Sequence, residues 1–198
     1  MKTLRPALTI TAFLLLVCCL LYPAIVTAAA QAMWPGKANG SLVVRNGKTL
    51  GSEIIGQSVA DWAAHPEYLW GRASAASNDA TSGITISSGS NYGPNNPALA
   101  DEVKARVDLL RASGVVGSIP IDLVTKSASG LDPELSPAAA DVQAPRLAIA
   151  RQMSVESIRA ILAAHTSGST FGVFGEPRVN VLAVNLDLDD KAPLPAKR

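Results

Sequence analysis

The feature that most constrains this chain is a stretch from Ala7 to Gly36 that contains no Asp, Glu, Lys or Arg. Its centre, residues 12–21, reads AFLLLVCCLL. An α-helix rises about 1.5 Å per residue, so about 20 apolar residues cross the hydrocarbon core of a bilayer. The stretch therefore predicts one transmembrane helix, over residues 7–30. A single apolar helix cannot conduct an ion, because it offers no ring of carbonyl or charged groups across the bilayer.

Basic residues flank this stretch unequally. Lys2 and Arg5 precede it, and the next basic residue is Lys37. Positive charge stays on the cytoplasmic side of a membrane helix, so we expect residues 1–6 in the cytoplasm and residues 37–198 on the opposite side. The sequence thus predicts an exported domain held by one N-terminal span.

The same stretch also has the features of a cleaved secretory signal. It has a basic start, an apolar core, a helix breaker at Pro23 and a small-residue cleavage motif at residues 30–32. A lipoprotein signal fits less well, because Cys18 and Cys19 lack the small residue that precedes a lipidated cysteine. The stretch by itself leaves both a retained anchor and a cleaved signal open, and both export the rest of the chain.

Composition places the rest of the chain in one domain. Of the 198 residues, 17% are charged and 5% are aromatic, and the formal net charge is +1. The sequence has no basic patch with interleaved aromatic residues, which argues against a nucleic-acid partner. Both cysteines lie in the apolar stretch, so the exported part has neither a disulfide nor a thiolate site. We expect a linker over residues 31–40, a domain over residues 41–190 and a charged tail over residues 191–198.

Three helical regions are predicted beyond the apolar stretch. Asn96, Ser136 and Ser154 are suitable N-caps, and each begins a segment with apolar residues at helical spacing. Gly114 is a suitable stop for the first helix, and Pro145 predicts a bend or restart in the second. The charged residues of the first helix are expected to form its solvated face: Asp101, Glu102, Lys104, Arg106 and Asp108.

A hairpin is predicted near the start of the domain. Asn46 and Gly47 lie between apolar flanks, and both positions of such a turn need positive φ. A phosphate-binding loop is not expected there, because the upstream glycine that it needs is replaced by Leu42.

Shorter strands are predicted at residues 84–86, inside a polar segment from Ser74 to Asn96, and at residues 121–125. Alternating apolar residues predict a longer strand over residues 179–188. Because about three helices and several short strands do not alternate strictly, we expect an α+β fold, with one membrane helix followed by a single mixed domain.

Candidate metal ligands are few. His65 and His165 lie far apart in the sequence, and no HExxH, CxxC or HxH spacing occurs, so a metal site has little support. We interpret both histidines as surface or capping residues, and His165 falls near the end of the third helix, where a cation is favoured. The carboxylates Asp187, Asp189 and Asp190 are interpreted as the solvated end of a strand.

An exported serine hydrolase is a weaker alternative. Ser90, Ser127, Ser129 and Ser169 lie near glycines, and one of them could be paired with His165, but no G-x-S-x-G motif occurs. We therefore assign no catalytic residue and expect no activity from the isolated chain.

Several sequence blocks, in order along nearly the whole chain, resemble one family. They are residues 51–57 (GSEIIGQ), 70–74 (WGRAS), 89–94 (GSNYGP), 122–133 (DLVTKSASGLDP), Gln143, 146–151 (RLAIAR) and 174–181 (FGEPRVNV). Together with the apolar stretch, these blocks resemble the C subunit of the bacterial potassium-transporting Kdp P-type ATPase, the KdpC family. Each block alone is weak, whereas their order and spacing are specific.

The resemblance implies an accessory, non-pumping subunit of an ATP-driven potassium-uptake complex in the bacterial inner membrane. The implied partners are a channel-like potassium-translocating subunit, an ATP-hydrolysing P-type subunit and the lipid bilayer. No cofactor is assigned to this chain, because the complex handles ATP and potassium. The resemblance favours the retained span over a cleaved-signal periplasmic binding protein. The family is assigned a role in raising affinity for ATP, which we expect to be indirect because only residues 1–6 face the cytoplasm.

Candidate partner-contact residues come from the matched blocks and the polar turns. The segment from Ser74 to Asn96 and the turn over residues 127–132 have unusual backbone composition without catalytic geometry, which favours partner contact. The candidates are Arg72, Ser90, Asn91, Ser127, Ser129, Gly130, Asp132, Gln143, Arg146 and Glu176.

Overall fold

The structure is a computed structural model and describes residues 3–57, 61–78 and 84–193. The predictions for Lys2, for the centre of the polar segment and for the tail beyond residue 193 lie outside the described residues. The chain divides into two units, Met1–Ser52 and Glu53–Arg198.

The first unit begins with a 30-residue helix, Leu4–Met33. Its most apolar 18-residue window has a mean hydropathy of 2.4, and none of that window's residues is buried. It consists of α1 (Leu4–Leu14), a π-helical segment (Leu15–Leu21) and α2 (Tyr22–Met33). The π-helical segment lies just before Pro23, whose missing N–H leaves a carbonyl of the preceding turn without its α-helical donor. The helix is long and apolar enough to cross a membrane, as the sequence predicts, and a signal sequence would have the same properties.

The rest of the first unit is a short helix and a hairpin. Helix α3 (Pro35–Ala38) is followed by the antiparallel strands β1 (Leu42–Arg45) and β2 (Lys48–Ser52). Asn46 has a φ of 52° and Gly47 a φ of 75°. The predicted hairpin is therefore confirmed.

The second unit contains five α-helices among its described residues. They are α4 (Pro97–Ala112), α5 (Pro137–Asp141), α6 (Ala144–Arg151), α7 (Val155–Ala164) and α8 (Val181–Lys191). The side-chain oxygens of Asn96, Ser136 and Ser154 accept the backbone N–H groups of their first turns, at 3.0, 3.1 and 3.1 Å. The three predicted N-caps are confirmed, and so is the restart at Pro145.

Short strands complete the second unit. Strand β3 (Ser77–Asn78) pairs antiparallel with β4 (Thr85–Ile86), within the segment predicted as polar. Strands β5 (Glu134–Leu135), β6 (Thr166–Ser167) and β7 (Arg178–Asn180) form an antiparallel sheet in the order β5-β7-β6. Helices and strands are mixed in this unit, and the expected fold class is confirmed.

Two predicted strands are wrong. Only residues 178–180 of the C-terminal segment are extended, and α8 follows because the Asn180 side chain accepts the Ala183 N–H at 2.9 Å. The four buried residues of α8 fit helical spacing as well as they fit alternation: Val181, Leu182, Val184 and Leu188. Residues 121–123 form a 3₁₀ turn, and the Thr125 hydroxyl donates back to the Ile121 carbonyl at 2.8 Å.

The core of the second unit lies between α4, α6, α7 and α8. Its largest fully buried side chains include Trp70, Leu110, Leu147, Ile158 and Leu188. The solvated face predicted for α4 is partly wrong, because Arg106 is only 8% exposed.

Candidate functional site

The predicted site residues divide between two clusters and a few separate positions. We call the first cluster the polar junction, which is the turn over residues 125–132 with the segments that contact it. We call the second the Trp70 cluster, which is Trp70 with Arg106, Gln143 and Arg146.

An ion pair holds one side of the polar junction. Arg72 Nη1 lies 2.9 Å from Asp132 Oδ2, and the two side chains are 23% and 29% exposed. Arg72 Nη2 also donates to the Lys126 carbonyl at 3.3 Å. The other Asp132 oxygen accepts the Glu134 N–H at 3.0 Å. The pair thus joins two segments that are 60 residues apart in the sequence.

Backbone carbonyls of the same turn accept hydrogen bonds from three further residues. The Ser74 hydroxyl donates to the Gly130 carbonyl at 2.6 Å, and the Ser87 hydroxyl donates to the Ser129 carbonyl at 2.8 Å. The Gly56 N–H donates to the Leu131 carbonyl at 2.8 Å. The turn is therefore fixed by three separate segments of the chain.

Two glycines allow these segments to approach. A Cβ on Gly56 would lie 2.5 Å from the Asp132 carbonyl oxygen, and a Cβ on Gly130 would lie 2.6 Å from the Ser88 carbonyl oxygen. Gly130 also has a φ of 67°, which side chains with a Cβ rarely adopt. Close backbone contact explains why both positions are glycine.

The polar junction encloses a cavity of about 20 Å³, which Arg72, Ser127, Gly130 and Asp132 help to line. Ser127 is 4% exposed, and its hydroxyl has no hydrogen-bond partner among the described residues. A volume of this size is close to that of one water molecule. The cavity is far too small for a nucleotide.

Gln143 organises the Trp70 cluster from a fully buried position. Its Oε1 accepts the Trp70 N–H at 3.0 Å and an Arg146 N–H at 2.7 Å. Its Nε2 donates to the carbonyls of Trp70 and Ala139, each at 3.1 Å. Since every one of these groups is satisfied, Gln143 fixes the backbone at Trp70 and has no free group for a ligand.

Arg106 and Arg146 lie beside Trp70. Their guanidinium carbons are 5.9 and 4.1 Å from the centre of its ring. Arg146 donates to the carbonyls of Pro66 and Tyr68, and Arg106 donates to those of Leu123 and Gly71, both at 3.0 Å. Burial lowers the pKa of Arg146 to about 10, and the Arg106 charge acts in the same direction. Both remain cations at neutral pH, and each donates to two backbone carbonyls.

The remaining candidates lie apart from these clusters. Ser90 borders a cavity of about 40 Å³. Asn91 has a φ of 53°, and its side chain donates to the Gly89 carbonyl at 3.2 Å. Glu176 is exposed and lies in the loop that connects β6 to β7.

Comparison with known proteins decides the family. A family model described as "KdpC: K+-transporting ATPase, c chain" matches residues 4–190. This chain belongs to the KdpC family. Proteins named "Potassium-transporting ATPase KdpC subunit" from Burkholderia mallei (strain SAVP1) and Variovorax paradoxus (strain S110) are 52% and 50% identical to it, over 196 and 193 residues. Each comparison covers 96% of this chain and 97% of the relative. The resemblance based on the sequence blocks is confirmed.

The carboxylates near the C-terminus of this KdpC-family chain lie on a helix, not at the end of a strand. Asp187 Oδ2 lies 2.9 Å from Lys191 Nζ and 3.0 Å from His165 Nε2. The hydrogen bond from Lys191, and a second one from His165, lower the pKa of Asp187. Asp189 pairs with Arg151 at 2.7 Å. These groups connect α7 and α6 to α8.

Both histidines of this KdpC-family chain are hydrogen-bonded to carboxylates in the described part. No group of three or more His, Cys, Asp or Glu residues that could hold a metal occurs there. Neither histidine side chain hydrogen-bonds a serine hydroxyl in that part, because His65 contacts Glu67 and His165 contacts Asp187. No hydrogen bond joins Ser90, Ser127 or Ser129 to a histidine among the described residues.

Sequence reasoning missed three features of this KdpC-family chain. Arg106 lies three residues after Val103 and four before Leu110, so its position in the helical repeat was a signal of burial. Arg151 is buried against Tyr68 and Asp189, and nothing local indicates this. The exposure of Phe171, Val173 and Phe174 was not predicted either, because a loop assignment by itself does not show which of its side chains face solvent.

Proposed function

We propose that this chain is a non-catalytic accessory subunit of an ATP-driven potassium-uptake complex. It stabilises the assembly through contacts with the potassium-translocating and ATP-hydrolysing subunits. The observation that carries this proposal is the family match over residues 4–190, which includes the apolar helix as well as the domain. The relatives are named as subunits of a potassium-transporting ATPase, and this proposal extends that role to the present chain.

The apolar helix stays in the bacterial inner membrane as an anchor under this proposal. Arg5 lies near its start, and the next basic residue, Lys37, lies beyond its end at Met33. The charge distribution supports a cytoplasmic N-terminus over residues 1–6 and a periplasmic domain over residues 41–190.

The effect on ATP binding is indirect under this proposal. ATP is bound in the cytoplasm, whereas the domain lies on the opposite side of the membrane. The chain therefore acts by binding one conformation of the complex more tightly than another, which raises the affinity of the ATP-hydrolysing subunit for ATP. Support comes from the polar junction and the Trp70 cluster, whose polar groups are largely used in internal contacts. Such a domain offers its partners a defined shape.

Purification in mild detergent tests the assembly role. The tagged full chain is expected to be recovered with large membrane partners, and the isolated chain is expected to hydrolyse no ATP. The complex prepared without the chain is expected to show a higher KM for ATP. Recovery of the chain alone, or an unchanged KM, contradicts the proposal.

Thiol labelling tests the topology. The only two cysteines, Cys18 and Cys19, lie in the apolar helix and can be replaced by serine. A single cysteine introduced by Ile149→Cys, at a position that is 82% exposed, is expected to react with a membrane-impermeant reagent added to spheroplasts. The matched Thr3→Cys variant is expected to react only after lysis. An intact mass that lacks residues 1–32 would instead support a cleaved-signal periplasmic binding protein.

A further inference from the structure

Residues 169–175, which we call the apolar loop, present large apolar side chains to solvent. Phe171 is 91% exposed, Val173 is 77% exposed and Phe174 is 67% exposed. Single exposed apolar residues are common on protein surfaces, but here three lie within four positions of one short loop. A loop of this kind indicates a surface that another molecule covers.

The backbone of the apolar loop is held in one shape. Thr170 and Phe174 form an antiparallel bridge, with N–H to carbonyl distances of 2.8 and 3.0 Å. The Gly172 N–H donates to the Ser169 carbonyl at 3.1 Å. Phe171 has a φ of 55°, in the left-handed region that bulky residues rarely occupy. The loop therefore keeps an unfavourable backbone conformation that directs an aromatic ring into solvent, and strain of this kind is typical of functional positions.

We propose that the apolar loop inserts into an apolar pocket on another subunit of the potassium-transporting complex, and that a basic residue at the rim of that pocket pairs with Glu176. This inference rests on the proposed function and specifies the surface that contacts the partner. Aromatic side chains with a charged rim are typical of the centre of a protein–protein interface. A preformed loop also loses little conformational entropy on binding.

The charges around the apolar loop favour a protein partner over the lipid surface. Peripheral loops and helices that enter a bilayer carry Lys or Arg beside their apolar residues, because the lipid headgroups are partly anionic. Arg178, the nearest basic side chain in the sequence, is engaged with Glu134 at 3.0 Å. Glu176 makes no ion pair among the described residues, and its carboxylate would be repelled by anionic lipid.

The same carboxylate argues against a second copy of this chain as the partner. In a two-fold symmetric contact, the same surface patch lies on both sides of the interface. Two apolar loops that met in this way would bring two Glu176 carboxylates together. A partner that supplies a cation satisfies Glu176 better.

A double variant, Phe171→Gly with Phe174→Ser, tests the proposal in the assembled complex. Glycine suits the positive φ at position 171, so the domain is expected to fold with a nearly unchanged melting temperature. The apparent Kd for association with the other subunits is expected to rise by about 10- to 100-fold. Ile149→Ser removes an apolar residue of similar exposure from α6 and is expected to leave the Kd unchanged. Glu176→Lys is expected to weaken association by several-fold.

A photo-crosslinking residue at position 171, in the purified complex, identifies what the loop contacts. Crosslinks to another subunit support the proposal, whereas crosslinks to lipid or to a second copy overturn it. Full retention of the double variant in the complex overturns the proposal but leaves the accessory role intact. Failure of the wild-type chain to associate at all overturns both, so the two failures are distinguishable.

Discussion

The Trp70 cluster and the apolar loop place their side chains in opposite ways. In the first, Arg106 and Arg146 are each 8% exposed, and each donates to two backbone carbonyls of its own domain. In the second, Phe171 is 91% exposed, and none of the described residues covers its ring. Burial of a cation and exposure of an aromatic ring are both unfavourable in isolation. The carbonyls that stabilise the buried arginines belong to this chain. We infer that the apolar surface that covers Phe171 belongs to another molecule.

The largest effect on stability is expected from Arg146→Met. The change removes the donors to the Pro66 and Tyr68 carbonyls and the stacking on Trp70, so buried polar groups lose their partners. We expect a loss of about 3–5 kcal/mol in the free energy of unfolding. Urea unfolding of the full chain in detergent, followed by circular dichroism, measures it.

Arg159→Met is the matched control. Arg159 is 53% exposed and pairs with Asp141 at the surface. Loss of that pair is expected to cost less than about 1 kcal/mol. Equal losses of unfolding free energy from the two variants would contradict the prediction that the buried Arg146 stabilises the domain more than the surface Arg159.

Gly130→Ala is expected to have the next largest effect. The new Cβ would meet the Ser88 carbonyl at 2.6 Å in a backbone with positive φ. We expect a loss of about 2–4 kcal/mol, measured in the same urea titration. Gly168→Ala is the control, since a Cβ there has no neighbour within 4 Å. If both variants unfold at the wild-type midpoint, the polar junction is not closely packed.

A smaller loss of stability is expected when the pH is lowered, because Asp187 becomes protonated. The folded pKa of Asp187 is lowered by its hydrogen bonds from Lys191 and His165, so its contribution to stability is present above the unfolded pKa of about 3.9. That contribution is lost as the pH falls through the lower, folded pKa. Asp187→Asn is expected to flatten the pH dependence of the urea midpoint below pH 4 relative to wild type. An unchanged acid limb in the variant would show that Asp187 does not contribute.

The smallest change in stability is expected from Phe171→Gly. The ring makes few contacts in its own domain, and glycine relieves the positive φ, so the free energy of unfolding should change by less than about 1 kcal/mol. Leu147→Ala, which truncates a fully buried residue, should cost about 2–5 kcal/mol. Thermal unfolding compares the two, and a comparable loss for Phe171→Gly would place its ring in the core instead of at an interface.

The sequence predicts well those features that depend on neighbouring residues. The N-caps at Asn96, Ser136 and Ser154 and the turn at Asn46 and Gly47 are set by local hydrogen bonds or local φ values. For the same reason, the apolar stretch predicts its own helix. Each of these features can be inferred from a few consecutive residues.

Features that depend on distant contacts were not predicted. Arg72 and Asp132 are 60 residues apart, and no local pattern shows that they pair. The α8 helix was mistaken for a strand because its apolar positions fit two periods, and the Asn180 cap decided between them. The candidate residues were inferred mainly from the family resemblance. Their partner contacts remain predictions, whereas their packing against one another could be established only from the fold.

Trp70 also gives the domain an optical signal. The chain has three tryptophans, Trp34, Trp62 and Trp70. Trp70 is 1% exposed, with the Trp62 ring centre 6.4 Å from its own, whereas Trp34 is 54% exposed. An indole shielded from water emits at shorter wavelength than a hydrated one, so opening of the domain shifts the emission of Trp70 to longer wavelength. The isolated chain thus reports its own folded state by intrinsic fluorescence, and no dye needs to be attached.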